Sequence, residues 1–304
     1  MKTTKQVSWL LAGTLALAGL VAQTARAAAE PVTTTVTAVG MKNAAPPPVK
    51  KDDVELYQGK ERLQVADWHR GEKLFLAVLI DDSLEQNIAT QWNDVRAFLD
   101  AQPATTYIGV FYGRNGAAMV AQDFTQDHAL AGKALRIPSG AFGAYSSPYL
   151  ELQDLIKRMP GQGERRSILF FSSGVDYFRG FFGPESPDLD PTVEQATKAN
   201  VNVWTLYAPD AGHVGRGYFR TFNAQSNLSR LSGETGAESY YLGYGVPVTY
   251  KPYLDEISTH LNNQYLLTFE SGGKEKGRFE HIRVATELRG VQFMSPSMVY
   301  VPKS

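Results

Sequence analysis

The chain has 304 residues, 30 basic and 31 acidic side chains, and no cysteine. Without cysteine there are no disulfides and no lipid-modified cysteine anchor, so a fold of this length must rely on its apolar core. The near-balance of charge and the lack of any basic block argue against nucleic acid or an anionic membrane surface as partner.

Residues 1–27 read as a secretory signal. Lys2 and Lys5 precede an apolar run over 9–21, and Ala25-Arg26-Ala27 supplies a small-x-small cleavage pattern. The run is shorter than the ~20 residues of a membrane span, so cleavage is expected, with no membrane insertion afterwards. A bacterial periplasmic or secreted location is expected. Residues 28–53 are rich in Ala, Thr and Pro, include Pro46-Pro47-Pro48, and read as a linker. The Val/Thr alternation over 32–37 has no apolar neighbours, and disorder is expected there.

Residues 54–70 read as a β-hairpin, with Val54, Leu56, Leu63 and Val65 alternating with polar residues around a turn at Gln58-Gly59-Lys60. Residues 74–80 are continuously apolar, as in a central parallel strand covered on both faces. Next comes a helix over 87–100, with Ile88, Trp92, Val95 and Leu99 on one face. A strand over 106–111, an antiparallel edge strand over 117–124 and a short helix over 126–135 follow. Pro148 opens a helix over 149–159. A strand over 167–171 leads to a helix over 191–199, capped by Asp190. Then come a strand over 202–207, a helix over 221–232 ended by Gly233, a short strand over 238–242 and a helix over 253–261. This alternation across 71–262 specifies an α/β fold: a doubly wound, mostly parallel sheet with helices on both faces. Residues 263–304 change to strands over 264–269, 279–286 and 291–301. These are expected to join the 54–70 hairpin in a small β element.

Ligands of open α/β sheets gather at the carboxyl ends of the strands. One such end carries Asp81-Asp82-Ser83-Leu84-Glu85. Two readings are open: a divalent-metal site, or a polar turn in which Asp81 and Ser83 cap the next helix or satisfy loop amides. A second end carries Ser172-Ser173-Gly174-Val175-Asp176, and the loop 139–147 brings Ser146 and Ser147. Beyond Asp176, the residues Tyr177, Phe178, Phe181 and Phe182 form either a local cluster or an aromatic contact patch for a protein partner. His69, His128, His213, His260 and His281 show no zinc-type spacing, and no G-x-S-x-G elbow occurs. The Gly-rich run 212–217 fits neither a dinucleotide nor a phosphate loop. No catalytic residue is assigned.

Several stretches together resemble von Willebrand factor type A domains, above all the bacterial VWFA-related branch. DDVELYQGKERLQVADW is similar to the lead-in of that branch, and LFLAVLIDDSLE sits where the family has a hydrophobic strand and D-x-S-x-S. DFTQDHALAGKAL, ERRSILFFSSGVDYF, LDEISTHLNNQYLLTFES and FEHIRVATE follow in the family's order. The resemblance implies an Mg²⁺ adhesion site built from an Asp and two Ser, a Thr from a middle loop, and a later Asp. Asp81 and Ser83 match the first two ligands, and Glu85 stands in place of the second Ser. Ser146 or Ser147 is nearest to the Thr. Ser173 stands where the later Asp belongs, and Asp176 matches only a non-ligand position. The implied site is therefore degenerate, with Asp81, Ser83 and Glu85 as its metal set.

The leading expectation is an exported, non-catalytic and metal-independent protein-interaction domain, with no cofactor. Its contact face would lie around Ser146, Ser147, Ser173, Asp176, Tyr177, Phe181 and Phe182. The alternatives are Mg²⁺-dependent adhesion through Asp81, Ser83 and Glu85, a metal-assisted hydrolase at the same rim, and a structural part of an envelope assembly.

Overall fold

The structure, a computed structural model, describes residues 31–41, 45–179, 185–211, 217–241, 243–271 and 277–302. The proposed signal, residues 1–27, lies outside them, as do Phe181, Phe182 and most of the Gly-rich run 212–217. No helix among the described residues is long and apolar enough to cross a membrane.

Fourteen strands and six α-helices alternate along the described chain. The strands are β1 (Pro31–Gly40), β2 (Glu55–Gln58), β3 (Glu61–Leu63), β4 (Val65–His69), β5 (Leu74–Asp81), β6 (Thr106–Arg114), β7 (Ala117–Thr125), β8 (Arg165–Ser172), β9 (Val201–Tyr207), β10 (Ser239–Tyr240), β11 (Gln264–Glu270), β12 (Arg278–Ala285), β13 (Val291–Met294) and β14 (Met298–Val301). The helices are α1 (Trp92–Asp100), α2 (His128–Lys133), α3 (Pro148–Arg158), α4 (Leu189–Ala199), α5 (Tyr218–Glu234) and α6 (Lys251–Asn262).

The main sheet has the order β10-β9-β8-β5-β6-β7, all parallel except the edge strand β7. Helices α1, α2 and α6 cover one face over Leu76, Val78 and Ile80. Helices α3, α4 and α5 cover the other over Ala77 and Leu79. Burial on both faces explains why β5 is apolar without alternation. The sheet is thus doubly wound, as expected from the sequence. Several local boundaries differ. The expected helix over 87–100 is a 3-10 segment, Gln86–Gln91, followed by α1, and the expected strand over 291–301 is two strands, β13 and β14, that join different sheets. Asp188, not Asp190, precedes α4. Helix α5 starts at Tyr218 and runs through Gly233.

The expected disorder over 32–37 is corrected: this segment is the middle of β1. β1 pairs antiparallel with β11, with Thr35 opposite Leu266, and also with β13. Two four-stranded sheets, β13-β1-β11-β4 and β14-β12-β2-β3, form a β module around one apolar core. Val32, Val36, Leu267 and Phe269 meet Leu56, Ile282, Val284 and Val301 there. β2 and β3 make the hairpin, turning at Gly59 in the left-handed region (φ 61°). β4 leaves that hairpin and pairs with β11. Asn200, also left-handed at the end of α4, accepts the Thr35 amide on its side chain at 2.9 Å, which ties the β module to the main sheet.

Candidate functional site

The site forms at the carboxyl end of the main sheet because its acid is the last residue of β5. Asp81 follows Ala77 and Leu79 on the face covered by α3, α4 and α5. Its neighbours in the sheet are Gly113 of β6 and Ser172 of β8. The chain then turns sharply. The Ser83 amide donates to Asp81 Oδ1 at 3.0 Å, and the Ser83 hydroxyl to the same oxygen at 2.6 Å. Asp81 therefore satisfies a loop amide, one of the two readings of this stretch. It does not cap the next helical turn, which begins behind Glu85 without a side-chain cap.

The loop after β9 brings a second buried carboxylate, Asp210. Backbone bonds from Glu85 N to Pro209 O and from Ala211 N to Ser83 O, both 2.9 Å, fasten this loop to the end of β5. Ser83 Oγ lies 3.1 Å from Asp210 Oδ1. Asp210 Oδ2 accepts from the hydroxyls of Ser173 and Tyr177, each at 2.7 Å. A single serine hydroxyl thus stands between Asp81 and Asp210. It carries one proton and donates to one of them at a time; the second contact is met when Asp210 holds a proton of its own. Burial and the nearby Asp81 push the Asp210 carboxyl up to about 7, and burial raises Asp81 as well.

A third acid lies against this pair. Glu151, in the first turn of α3, is 1% exposed. Its carboxylate packs on the bare Cα of Gly113, where an added Cβ would overlap it. Burial, then the charge of Asp81, raises its carboxyl well above the ordinary range. Glu151 Oε2 and the hydroxyl of Ser147 are both buried without a hydrogen-bond partner.

The remaining site residues of the sequence reading fall in three places. Glu85 is partly buried, accepts from the Asn87 amide at 3.1 Å, and borders a cavity of about 480 Å³ with Asp210, Tyr207, Tyr218 and Tyr244. Asp82 holds the loop before α3, through Arg136 at 2.7 Å and the Ser139 amide at 2.9 Å. Ser146, Ser147, Ser173 and Asp176 are buried, so they support this end of the sheet from beneath and do not form its outer surface. Ser146 O receives the Phe178 amide at 2.9 Å, and Asp176 accepts from Ser186 Oγ at 2.5 Å. Gly174 allows this loop to turn at φ 71°, close against Leu228 and Ala224 O. Tyr177 packs its ring on Phe142 with centroids 4.4 Å apart, and Phe178 packs on Tyr145 at 5.1 Å.

The outer surface here is aromatic. Phe142, Tyr145, Tyr218, Phe219, Phe222 and Tyr244 are exposed, Phe219 by 79%. Tyr218 contacts Phe219, Phe222 and Tyr244, and so joins the start of α5 to the far rim of the cavity. The sequence reading missed Asp210, Glu151 and these α5 aromatics. The strand-end rule that singled out Asp81 also applies to Tyr207-Ala208-Pro209-Asp210, at the end of β9.

No family model matches the chain, and no curated protein matches it. Among solved structures it is similar to a von Willebrand factor type A protein from Catenulispora acidiphila, at 10% identity and TM-score 0.47, over 92% of this chain and 76% of that one. It is also similar to an aerotolerance-related membrane protein from Bacteroides fragilis, at 12% identity and TM-score 0.45, over 62% and 98%. A third is the vWF domain of the type V pili tip protein Mfa5 from Porphyromonas gingivalis, at 12% identity and TM-score 0.42, over 64% and 96%. All three scores lie below 0.5, so the doubly wound α/β fold rests on the chain's own strand order and on its helices covering both faces of the sheet.

Proposed function

We propose that this chain is an exported protein-binding domain that acts by contact and not by catalysis. Its contact surface is the aromatic rim at the carboxyl end of the main sheet. The observation that carries this reading is the set of exposed rings at this end: Tyr218 and Tyr244 line the cavity beside Asp210, Phe219 and Phe222 pack on Tyr218, and Phe142 packs on Tyr177, whose hydroxyl bonds Asp210. Aromatic side chains left in water at one place are costly without a use, and they are favoured in the cores of protein interfaces. The buried acids and serines beneath hold the loops that present these rings. The test is a photo-crosslinking amino acid placed at Phe219 or Tyr145, with exposed Lys157 on α3 as the control. A discrete crosslinked product from the rim positions alone is expected. Equal products from Lys157, or none from the rim, would overturn the reading.

A second reading is favoured by the paired carboxylates. Asp81, Ser83, Ser173 and Asp210 gather oxygen donors of the kind Mg²⁺ takes, and the buried Ser147 hydroxyl has no partner. The residues fit such an ion, which would supply the charge that the two buried acids otherwise meet only with hydroxyls and the Ser83 amide. Asp81, Ser83 and Asp210 would hold it, with Glu85 at the edge of the same cavity. Calorimetric titration with Mg²⁺ and Mn²⁺ separates the readings: saturable heat abolished by Asp81→Ala supports metal-dependent contact, and no heat at millimolar metal removes it.

A further inference from the structure

Away from this end of the sheet, three ligand-type side chains meet where α6 passes the edge strand β10. Glu256 and His260 stand four residues apart on α6, and so share one helix face a turn apart. Glu238 enters from the residue before β10. A ring nitrogen of His260 and one carboxylate oxygen each from Glu238 and Glu256 lie within 4.8 Å of one another. His260 is 3% exposed, and its Nδ1 is buried without a hydrogen-bond partner. Its ring stacks on Trp204 with centroids 5.4 Å apart. A buried imidazole nitrogen that finds no partner within the protein needs an explanation.

We propose that Glu238, Glu256 and His260 form a binding site for a divalent metal of the Zn²⁺ type, with water in the open position. Imidazole and carboxylate are ordinary Zn²⁺ donors, and three protein ligands plus water complete a tetrahedron. Two carboxylates balance the charge of the ion. Donors around tetrahedral Zn²⁺ sit ~3.3 Å apart, so the separations must shrink. The glutamates are only partly buried and can close by side-chain rotation, while the imidazole is held in place by Trp204. The Tyr240 hydroxyl donates to Glu238 Oε2 at 3.4 Å, in the position of an outer partner that orients a ligating carboxylate. Glu238 lines a cleft of about 400 Å³ with Tyr240, Tyr241 and Tyr253, while Glu256 and His260 border a separate cavity of about 10 Å³ beside Ala38. A bound ion would fasten the two-residue strand β10 to α6. No zinc motif announces the site, because its third ligand comes from outside the helix.

The test is titration of the purified, chelator-stripped chain with Co²⁺, read by visible absorption and by quenching of tryptophan emission, with Zn²⁺ as competitor. One equivalent should give a ligand-field band and quench Trp204, and Zn²⁺ should reverse both. Glu238→Gln and Glu256→Gln should each weaken binding at least ~10-fold, with unchanged circular dichroism, and Glu61→Gln, exposed on β3, should bind as the parent does. In Trp204→Phe the absorption band should persist while the quenching is lost. Binding that survives Glu238→Gln, or that is lost in Glu61→Gln, would overturn the proposal, as would no saturable band at millimolar Co²⁺.

Discussion

The hydroxyl of Ser173 donates to Asp210 Oδ2 at 2.7 Å, which joins the end of β8 to the loop after β9. The sequence resemblance puts an acid at position 173. In this chain the acid is supplied one strand further along, and the serine serves as its donor.

Asp210 makes folding sensitive to pH. Its carboxyl is pushed from 3.8 in the open chain to about 7 by burial and by Asp81. Between those values the folded state holds the proton more tightly than the unfolded state does. The stabilisation is therefore complete below the unfolded pKa and is lost as pH rises through the folded one. The melting temperature should fall from about pH 5 to about pH 8, and Asp210→Asn should flatten that slope. Melting curves across this range decide it; an equally steep slope in the variant would sink the assignment.

Gly113 is expected to resist enlargement. A methyl group there meets the buried Glu151 carboxylate, so Gly113→Ala should cost about 1–3 kcal/mol. Glu151→Ala in the same chain should recover most of that loss. A double-mutant cycle by urea denaturation measures the coupling, and additive losses would mean that the two groups do not touch.

Gly236 presents a different constraint. It is left-handed at φ 76°, and an added Cβ would lie 2.6 Å from the Pro296 ring. Gly236→Ala should destabilise by about 1–3 kcal/mol and loosen the bridge between Thr235 and Pro296 that links α5 to the C-terminal strands. Hydrogen exchange at Thr235 and Gly236 reports this directly; unchanged protection there would count against it.

The rim aromatics should behave in the opposite way. Phe219→Ala and Tyr145→Ala remove exposed rings, so stability should stay within about 0.5 kcal/mol while partner crosslinking falls. A large loss of stability would assign those rings to packing.

The main sheet is legible in the sequence because each of its strands carries its own signal. Residues 74–80 and 168–171 are apolar throughout, and Pro148 marks the start of a helix. β1 is not legible in this way. Val32 and Val36 are buried by Leu267 and Phe269, residues more than two hundred positions away that no local window contains. At the site, Asp81 and Ser83 stand out because an apolar strand runs straight into them. Asp210 also lies at a strand end, but it follows Ala208-Pro209, which reads as an ordinary turn, and packing is what shows the carboxylate buried beneath the loop. Glu151 sits in a helix's first turn, where acids are common, so its burial leaves no mark in the sequence.

The closing of β1 on β11, with Pro31 opposite Glu270, also sets an order of assembly. β1, the first strand among the described residues, has no partner until β11 and β13 exist, and contacts at such separation form slowly. The α/β sheet, whose strands are joined through nearby helices, is expected to gather first. On refolding, Trp204, buried in that sheet, should reach its final emission before Trp68, which stacks on Tyr265 in the late-forming β module. Until then β1 offers an open edge to other chains. Molecules that end before β11 and β13 are made would be left with an unpaired β1 beside a finished sheet, so truncation near the C-terminus should expose the chain's start to association.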